Sequence, residues 1–292
     1  MFEQLSCPVA ENYSLSGLTT MGVGGPARYY IIPQTIDDVL AARQICSEQG
    51  IKLLVLGNGS NILVDDEGFD GAVLHVGKGL RSFERRGDSL YAESGVMVPK
   101  ISFSMAKEGI TGYEFMAGIP GTVGGAVVMN AGCIGRETSM ILESVTYLDQ
   151  EGNVITRPVS ELDLSFRSSF FIGKSHIILS AMFTALPGDQ EEVMKMTKKA
   201  ADIRKGKFPV NVATVGSTFK SPPEGPHPGR LVEEVGLKGH QIGGAEVSHV
   251  HANWIINRGG AKASDVKKLI DVMQNTVAQK LGILMEPEVL FV

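Results

Sequence analysis

Two glycine-bearing segments offer the clearest chemistry in the chain. Gly57-Asn-Gly-Ser-Asn61 follows an apolar run, and Gly118-Ile-Pro-Gly-Thr-Val-Gly-Gly-Ala126 runs on to Asn130-Ala-Gly132. Successive backbone N–H groups in such turns form anion-binding nests, and small residues let a pyrophosphate lie against the main chain. Ser60, Asn61 and Thr122 add hydroxyl and amide donors. With little charge between them, the two segments read as a neutral-donor cradle for a dinucleotide. The competing reading is a pair of tight turns in a β-rich lobe.

Other spacings fail their chemical tests. Gly57-Asn-Gly-Ser-Asn-Ile62 begins like G-x-G-x-x-G but has Ile62 in the third glycine position, with neither a crossover helix nor a ribose-binding acid expected after it. Gly173-Lys-Ser is the tail of a P-loop whose first glycine is replaced by Ser168. His249-Val-His251 presents two imidazoles with no third ligand nearby in sequence, which makes no case for a metal.

The elements that must position these segments follow from composition and pattern. Lys and Arg number 27 against 32 Asp and Glu, a net charge of −5. An acidic balance argues against nucleic acid as a partner while leaving room for a local basic pocket. Glycine, at 35 of 292 residues, is well above the usual ~7%. Three scattered cysteines, Cys7, Cys46 and Cys133, make no disulfide framework and point to a reducing compartment. No basic residue precedes Arg28, and the longest apolar-rich run, 177–186, is short of the ~18 residues of a span. A soluble cytoplasmic protein without membrane insertion is expected.

Along the chain, a strand at 28–32 leads to a helix capped by Thr35 and ending at Gly50. Strands at 51–56, 62–64 and 72–76 complete a small mixed lobe. A short helix starts at Pro99, the glycine-rich stretch covers 118–135, and 144–148 with 154–156 forms a hairpin. A long strand spans 176–186. The pattern predicts an amphipathic helix over 189–205 with Val193, Met196, Ala200 and Ile203 on one face, and a second helix capped by Ser264 and ended by Gly282. Residues 287–292 form a short strand expected to return to the first lobe.

Taken in order, Thr19-Thr-Met-Gly-Val-Gly-Gly-Pro-Ala27, the two glycine segments, Phe166-Arg-Ser-Ser, Gly216-Ser-Thr-Phe-Lys-Ser-Pro222, Leu231-Val-Glu-Glu-Val-Gly-Leu-Lys-Gly239, His251-Ala-Asn-Trp-Ile-Ile-Asn257 and Met285-Glu-Pro-Glu-Val289 resemble the UDP-N-acetylenolpyruvoylglucosamine reductases. These are flavin enzymes of peptidoglycan precursor synthesis. The resemblance implies an α+β chain, with a two-lobed FAD-binding fold of the vanillyl-alcohol-oxidase type and an α+β substrate-binding domain. The implied boundaries are 1–78 joined by the strand at 283–292, then 79–195, then 196–282. It implies tightly held, non-covalent FAD with NADPH as co-substrate. UDP-N-acetylglucosamine enolpyruvate then receives hydride at C3 and a proton at C2, giving UDP-N-acetylmuramate. A monomer is expected.

The resemblance also assigns roles. Arg167 matches the catalytic arginine, a fixed guanidinium suited to charge that builds on the substrate carboxylate and C2. Ser217 matches the proton donor, and Glu286 the second acid, whose burial is expected to raise its pKa. The cofactor cradle comprises Gly57, Asn58, Gly59, Ser60, Asn61, Ile119, Pro120, Gly121, Thr122, Gly124, Gly125 and Asn130. Arg204, Lys207, Lys220, Ser221 and His251 match substrate contacts, with Lys207 near the nucleotide diphosphate. The 50-residue separation of Arg167 and Ser217, and the lack of tyrosine after Tyr147, resemble the shorter subtype without a substrate-covering insertion. Four positions depart from the family pattern: Phe166 and Ile134 where tyrosine is usual, Ser221 for asparagine and His249 for glutamate. Two alternatives stay open on the sequence: another flavin oxidoreductase of this fold with a different carboxylate substrate, and a non-catalytic nucleotide-sugar or flavin-binding module.

Overall fold

The computed structural model describes residues 2–207, 212–222 and 224–292, with the Lys207 side chain outside the description. The chain divides into two compact units, each assembled from three stretches. The first comprises Met1–Glu11, Tyr29–Asn58 and Gly71–Arg204; the second comprises Asn12–Arg28, Gly59–Asp70 and Lys205–Val292.

The first unit holds one sheet whole and most of another, three of whose strands run on into stretches of the second. The divided sheet has the strand order Val9–Ser14, Pro26–Ile31, Phe69–His75, Leu53–Leu56. Its last two strands run parallel, with Leu56 opposite His75. No helix lies among residues 57–68, which join them. Helix Ile36–Glu48 begins with a capping box: Thr35 Oγ1 accepts the Asp38 N–H at 3.2 Å and Asp38 Oδ2 accepts the Thr35 N–H at 2.9 Å. Such a cap contributes about 1 kcal/mol. Val39, Ala42 and Ile45 from this helix share a core with Tyr29, Ile31 and Leu74. The other sheet is antiparallel, in the order Val154–Pro158, Leu142–Leu148, Ile177–Thr184, Ser89–Glu93, Phe83–Arg86. Helix Val98–Lys107 buries Ile101 and Met105 in a core shared with Phe115, Val123, Tyr147 and Phe183.

Two local expectations need correction here. The glycine-rich stretch contains a helix, Val123–Val128, where turns are expected throughout. In helix Gln190–Lys207 the buried stripe includes Val193, Thr197 and Ala200, and Met196 is 41% exposed. Hydropathy assigns Met196 inward, but the 3.6-residue period places Thr197 on the face that Val193 and Ala200 bury.

The second unit is a four-stranded antiparallel sheet, in the order Ala213–Ser217, Trp254–Asn257, Ala245–Val247, Gln241–Ile242, with helices Pro228–Glu234 and Ala263–Leu281. Val266, Leu269, Ile270, Met273 and Val277 form the buried stripe of the long helix. They share a core with Met21, Val23 and Leu63 from distant segments. Strand Leu290–Phe291 pairs in parallel with Ile62–Leu63. Ser264 is not the cap of the long helix. It lies inside it, and Asp66 supplies the cap from 198 residues away, accepting the Ala263 N–H at 2.6 Å and the Ser264 N–H at 3.0 Å. Burial pushes the Asp66 carboxyl up, but these hydrogen bonds and Lys262 outweigh it and hold the carboxyl below its usual value. Gly282 ends the helix in the left-handed conformation that glycine adopts freely.

Candidate active site and cofactor cradle

In the first unit the two glycine segments meet. Asn58 Nδ2 donates to the Pro120 carbonyl at 2.7 Å. A Cβ on Gly57 would stand 2.5 Å from Thr122 Oγ1, so a side chain there would force Thr122 to shift. Thr122 is buried, and its hydroxyl oxygen has no hydrogen-bond partner among the described residues. The Gly57 carbonyl accepts from His75 Nε2 at 3.0 Å. Gly124 also has a packing part. Its N–H donates to Ser94 O at 2.8 Å, and a Cβ there would press on Ser94 Cβ at 3.1 Å. It lets the helix start sit close to the neighbouring strand end, and its N–H is already spoken for.

Asn130 is likewise an anchor. It is fully buried, donates to Ser165 O at 2.9 Å and accepts the Ser139 N–H at 2.9 Å. Ser165 and Ser168 exchange two backbone hydrogen bonds of 3.1 Å, which leaves Phe166 and Arg167 as the centre of a two-residue turn. Arg167 sits there at φ 51°. A non-glycine residue in that region costs of order 1–3 kcal/mol, which the surroundings must hold in place. Its guanidinium donates to Gly132 O at 3.2 Å and lies 4.9 Å from the centre of the Phe166 ring. Nearby, Cys133 pairs with Arg136, so Ile134 and Gly135 close a hairpin with φ of 51° and 76°. The first is a β-branched residue in a region such residues avoid, and it is 50% exposed. Arg204 Nη1 donates to Gly118 O at 2.6 Å, and burial lowers its guanidinium pKa from the ordinary value. That carbonyl lies at the base of the glycine stretch, so Arg204 ties helix Gln190–Lys207 to it.

In the second unit, Ser217 ends strand Ala213–Ser217 opposite Trp254, after a register shift between Thr214 and Ser217 that spans Gly216, whose φ is 81°. Residues 218–220 are gripped from both sides. The Thr218 N–H donates to Asn253 O at 2.8 Å, and the Asn253 amide exchanges bonds with Phe219 N and O at 3.0 and 2.8 Å. The Glu288 N–H donates to Thr218 O at 2.8 Å and the Lys220 N–H to Glu286 O at 2.9 Å. The grip brings Lys220 Nζ to 2.5 Å from Glu286 Oε1. The Glu286 side chain is 70% exposed. The expected burial is absent, because the carboxylate projects outward from a segment held by its main chain.

His251 Nδ1 accepts the Asn253 N–H at 3.2 Å, so the neutral ring carries its proton on Nε2. Its ring makes an edge contact with His227, 5.4 Å between centroids. Gly59, at φ 61°, would drive a Cβ to 2.2 Å from Leu18 O. Asn61 Nδ2 donates to Glu288 O at 3.0 Å. Ser60 and Ser221 are half-buried. Lys207, expected at the diphosphate, has its side chain outside the described residues. Arg167 belongs to the first unit, and Ser217, Lys220, Ser221, His251 and Glu286 to the second.

Comparison with known proteins decides the family. Residues 208–292 match the model of the UDP-N-acetylenolpyruvoylglucosamine reductase C-terminal domain, and residues 27–157 match that of an FAD binding domain. The UDP-N-acetylenolpyruvoylglucosamine reductase of Bacillus licheniformis is 41% identical over 283 residues, covering 96% of this chain and 93% of that protein. The chain belongs to the UDP-N-acetylenolpyruvoylglucosamine reductase family. The crystal structure of the Thermus caldophilus UDP-N-acetylenolpyruvylglucosamine reductase superposes with a TM-score of 0.82 at 31% identity, covering 98% of each chain. A cholesterol oxidase from Brevibacterium sterolicum, 12% identical with a TM-score of 0.50 over 62% of this chain and 38% of its own, shares the fold alone. Together these fix an α+β chain with a flavin-binding fold of the vanillyl-alcohol-oxidase type.

Residue reasoning missed His75, Tyr30 and Asn253. His75 had a legible signal: an imidazole closing a run of buried aliphatic residues must find partners for both nitrogens. Asn253 had none, since its bonds reach residues 34 positions away.

Proposed function

We infer that this chain reduces UDP-N-acetylglucosamine enolpyruvate to UDP-N-acetylmuramate, consuming NADPH, as a UDP-N-acetylmuramate dehydrogenase of peptidoglycan precursor synthesis. The observation that carries the reading is the identity held across nearly the full length of its relatives. The residues present fit FAD. A glycine whose Cβ would crowd Thr122 faces that residue's buried, unpartnered hydroxyl, an arrangement that serves a pyrophosphate pressed against main chain. When bound, FAD carries hydride from NADPH to C3 of the enolpyruvyl group.

The protein's side chains supply the rest. Gly57, Asn58, Ile119, Pro120, Gly121, Thr122 and Gly125 line the cradle, and Gly59, Ser60 and Asn61 continue it along the chain. Arg167 holds the substrate carboxylate, and the bond to Gly132 O and the Phe166 ring restrain its guanidinium before substrate arrives, so little reorganisation accompanies the charge that develops. Ser217 gives a proton to C2. Lys220 and Glu286 handle the carboxylate end as a pair. Lys207, Ser221 and the Nε2–H of His251 serve the nucleotide and sugar. Among the described residues no helix is long and apolar enough to cross a membrane. A cytoplasmic monomer is proposed, in keeping with a nucleotide-sugar substrate and NADPH.

The test is spectroscopic. Purified protein should absorb near ~450 nm, the intrinsic band of bound flavin. Anaerobic NADPH should bleach it, and UDP-N-acetylglucosamine enolpyruvate should restore the colour. Bleaching without restoration would point to a different carboxylate substrate, and a colourless protein lacking extractable FAD would sink the reading.

A further inference from the structure

A buried histidine outside the expected site touches the first residue of the cradle. His75 ends strand Phe69–His75, opposite Leu56 in the parallel register. The next residue after Leu56 is Gly57, so the pairing delivers the imidazole to the Gly57 peptide. His75 Nε2 stands 3.0 Å from Gly57 O, and His75 Nδ1 stands 2.6 Å from the Tyr30 hydroxyl. A carbonyl only accepts, so Nε2 carries the hydrogen. Nδ1 of the neutral ring is then an acceptor, and the Tyr30 O–H donates to it. Tyr30 thus selects the tautomer, and the tautomer selects the carbonyl.

The orientation has a consequence one bond further on. The peptide between Gly57 and Asn58 is planar and trans, as the absence of cis bonds among the described residues requires. With its C=O held toward His75, its N–H, that of Asn58, points to the opposite side. Asn58 is itself tied to the second glycine segment through Pro120. Gly77 leaves space for this arrangement, since a Cβ there would stand 2.3 Å from Gly57 O.

We propose that His75 is a positioning residue for the cofactor: held in its Nε2–H form by Tyr30, it aims the Asn58 N–H at the FAD pyrophosphate. The proposal rests on the FAD reading above. Burial supports it by pushing the imidazole down to about 4, with Lys78 adding to the effect, so the ring stays neutral where the enzyme works.

The experiment compares wild-type, His75→Leu, His75→Gln, His75→Asn and Tyr30→Phe apoproteins, titrated with FAD by quenching of flavin fluorescence. Failure of wild-type protein to bind FAD would overturn the cofactor reading rather than this one. Given wild-type binding, His75→Leu should weaken FAD about 10-fold or more, the usual consequence of leaving a buried acceptor unpaired. His75→Gln, whose amide nitrogen can take the Nε2 position, should recover most of the affinity. His75→Asn, too short to reach, should not, and Tyr30→Phe should fall between. If His75→Leu does not fold, the Gln and Asn pair still decides. Histidine ¹⁵N spectra of the wild-type holoprotein give a second readout, with His75 protonated on Nε2 and bare on Nδ1. Wild-type affinity in folded His75→Leu, equal behaviour of the Gln and Asn variants, or a proton on Nδ1 with none on Nε2 would each overturn the proposal.

Discussion

The residues proposed to meet the cofactor and those proposed to meet the substrate are held in opposite ways. In the first unit, main chain is offered to the ligand and side chains hold it: Asn58 ties one turn to the other and His75 fixes a carbonyl. In the second unit, side chains are offered and main chain holds them. Residues 217–220 and 286–288 are locked through the N–H groups of Thr218, Lys220 and Glu288, and the Lys220–Glu286 pair stands at the surface. The difference fits two kinds of ligand. A cofactor that stays bound can be met by backbone set once in a fixed geometry. A substrate that comes and goes each cycle needs charged groups able to change partners, which an exposed ion pair does at little cost.

The largest effect that would sharpen this contrast is expected at Ser217. Stopped-flow absorbance separates the two half-reactions. Ser217→Ala should leave bleaching by NADPH near normal and slow the return of colour with substrate by ~10²–10⁴-fold, the usual loss with a positioned acid. Arg167→Lys should show the same asymmetry, because the charge it meets arises only in the second half. Equal slowing of both halves would break the division between cofactor and substrate residues.

Next in size is a pair of glycine substitutions. Gly57→Val should lower FAD affinity by about 10- to 100-fold, as forced overpacking costs about 1–3 kcal/mol where Thr122 has to shift. Gly124→Ala, whose added carbon meets Ser94, should reduce thermal stability while leaving FAD affinity close to wild type. Matching losses of FAD in the two variants would mean that Gly124 faces the cofactor after all.

Lys207→Ala tests a contact uniform in ground and transition states. KM for the UDP substrate should rise about 10-fold, equivalent to ~1.4 kcal/mol, with kcat nearly unchanged. A collapsed kcat at constant KM would move Lys207 into the chemistry.

The smallest effect is acid sensitivity. His75 is neutral in the folded protein down to about pH 4, whereas the unfolded chain takes up a proton below its ordinary value of 6.5. Stability from this group is therefore present above pH 6.5 and is lost as the pH falls toward 4. Calorimetry should find a decline in Tm over that window that is roughly 2–4 °C smaller in His75→Gln. Identical slopes would show that another group carries the acid response.

These expectations also mark where sequence and structure part. Thr35 with Asp38, and Gly282 at a helix end, are read from neighbouring residues because caps and left-handed turns are local chemistry. The ordered motifs placed Ser217, Lys220 and Glu286 in one family pattern, and the structure sets the last two 2.5 Å apart. What stayed hidden was set by distant partners. Ser264 looks like a cap until Asp66 arrives from another stretch of chain. Glu286 looks like a buried acid until its segment is found pinned by main-chain bonds with its side chain outward. The internal bonds of Gly124 and Asn130 to Ser94, Ser139 and Ser165 were likewise unreadable from their neighbours in sequence.

The interleaving of the second unit carries a consequence for how this protein is made. Thr20 donates to Thr214 O across 194 residues, and Asn257 to Met21 O across 236. Stretches 12–28 and 59–70 leave the ribosome long before the sheet and long helix that bury Met21, Val23 and Leu63. Their apolar side chains must wait, uncovered, while everything up to residue 205 and beyond is synthesised, and closing so long a loop is intrinsically slow. For the same reason the region from 205 onward is no portable cassette. Cut away from the N-terminal stretches, it would present an open groove where those three side chains belong, and grafting it onto another flavin-binding scaffold would require carrying both stretches along.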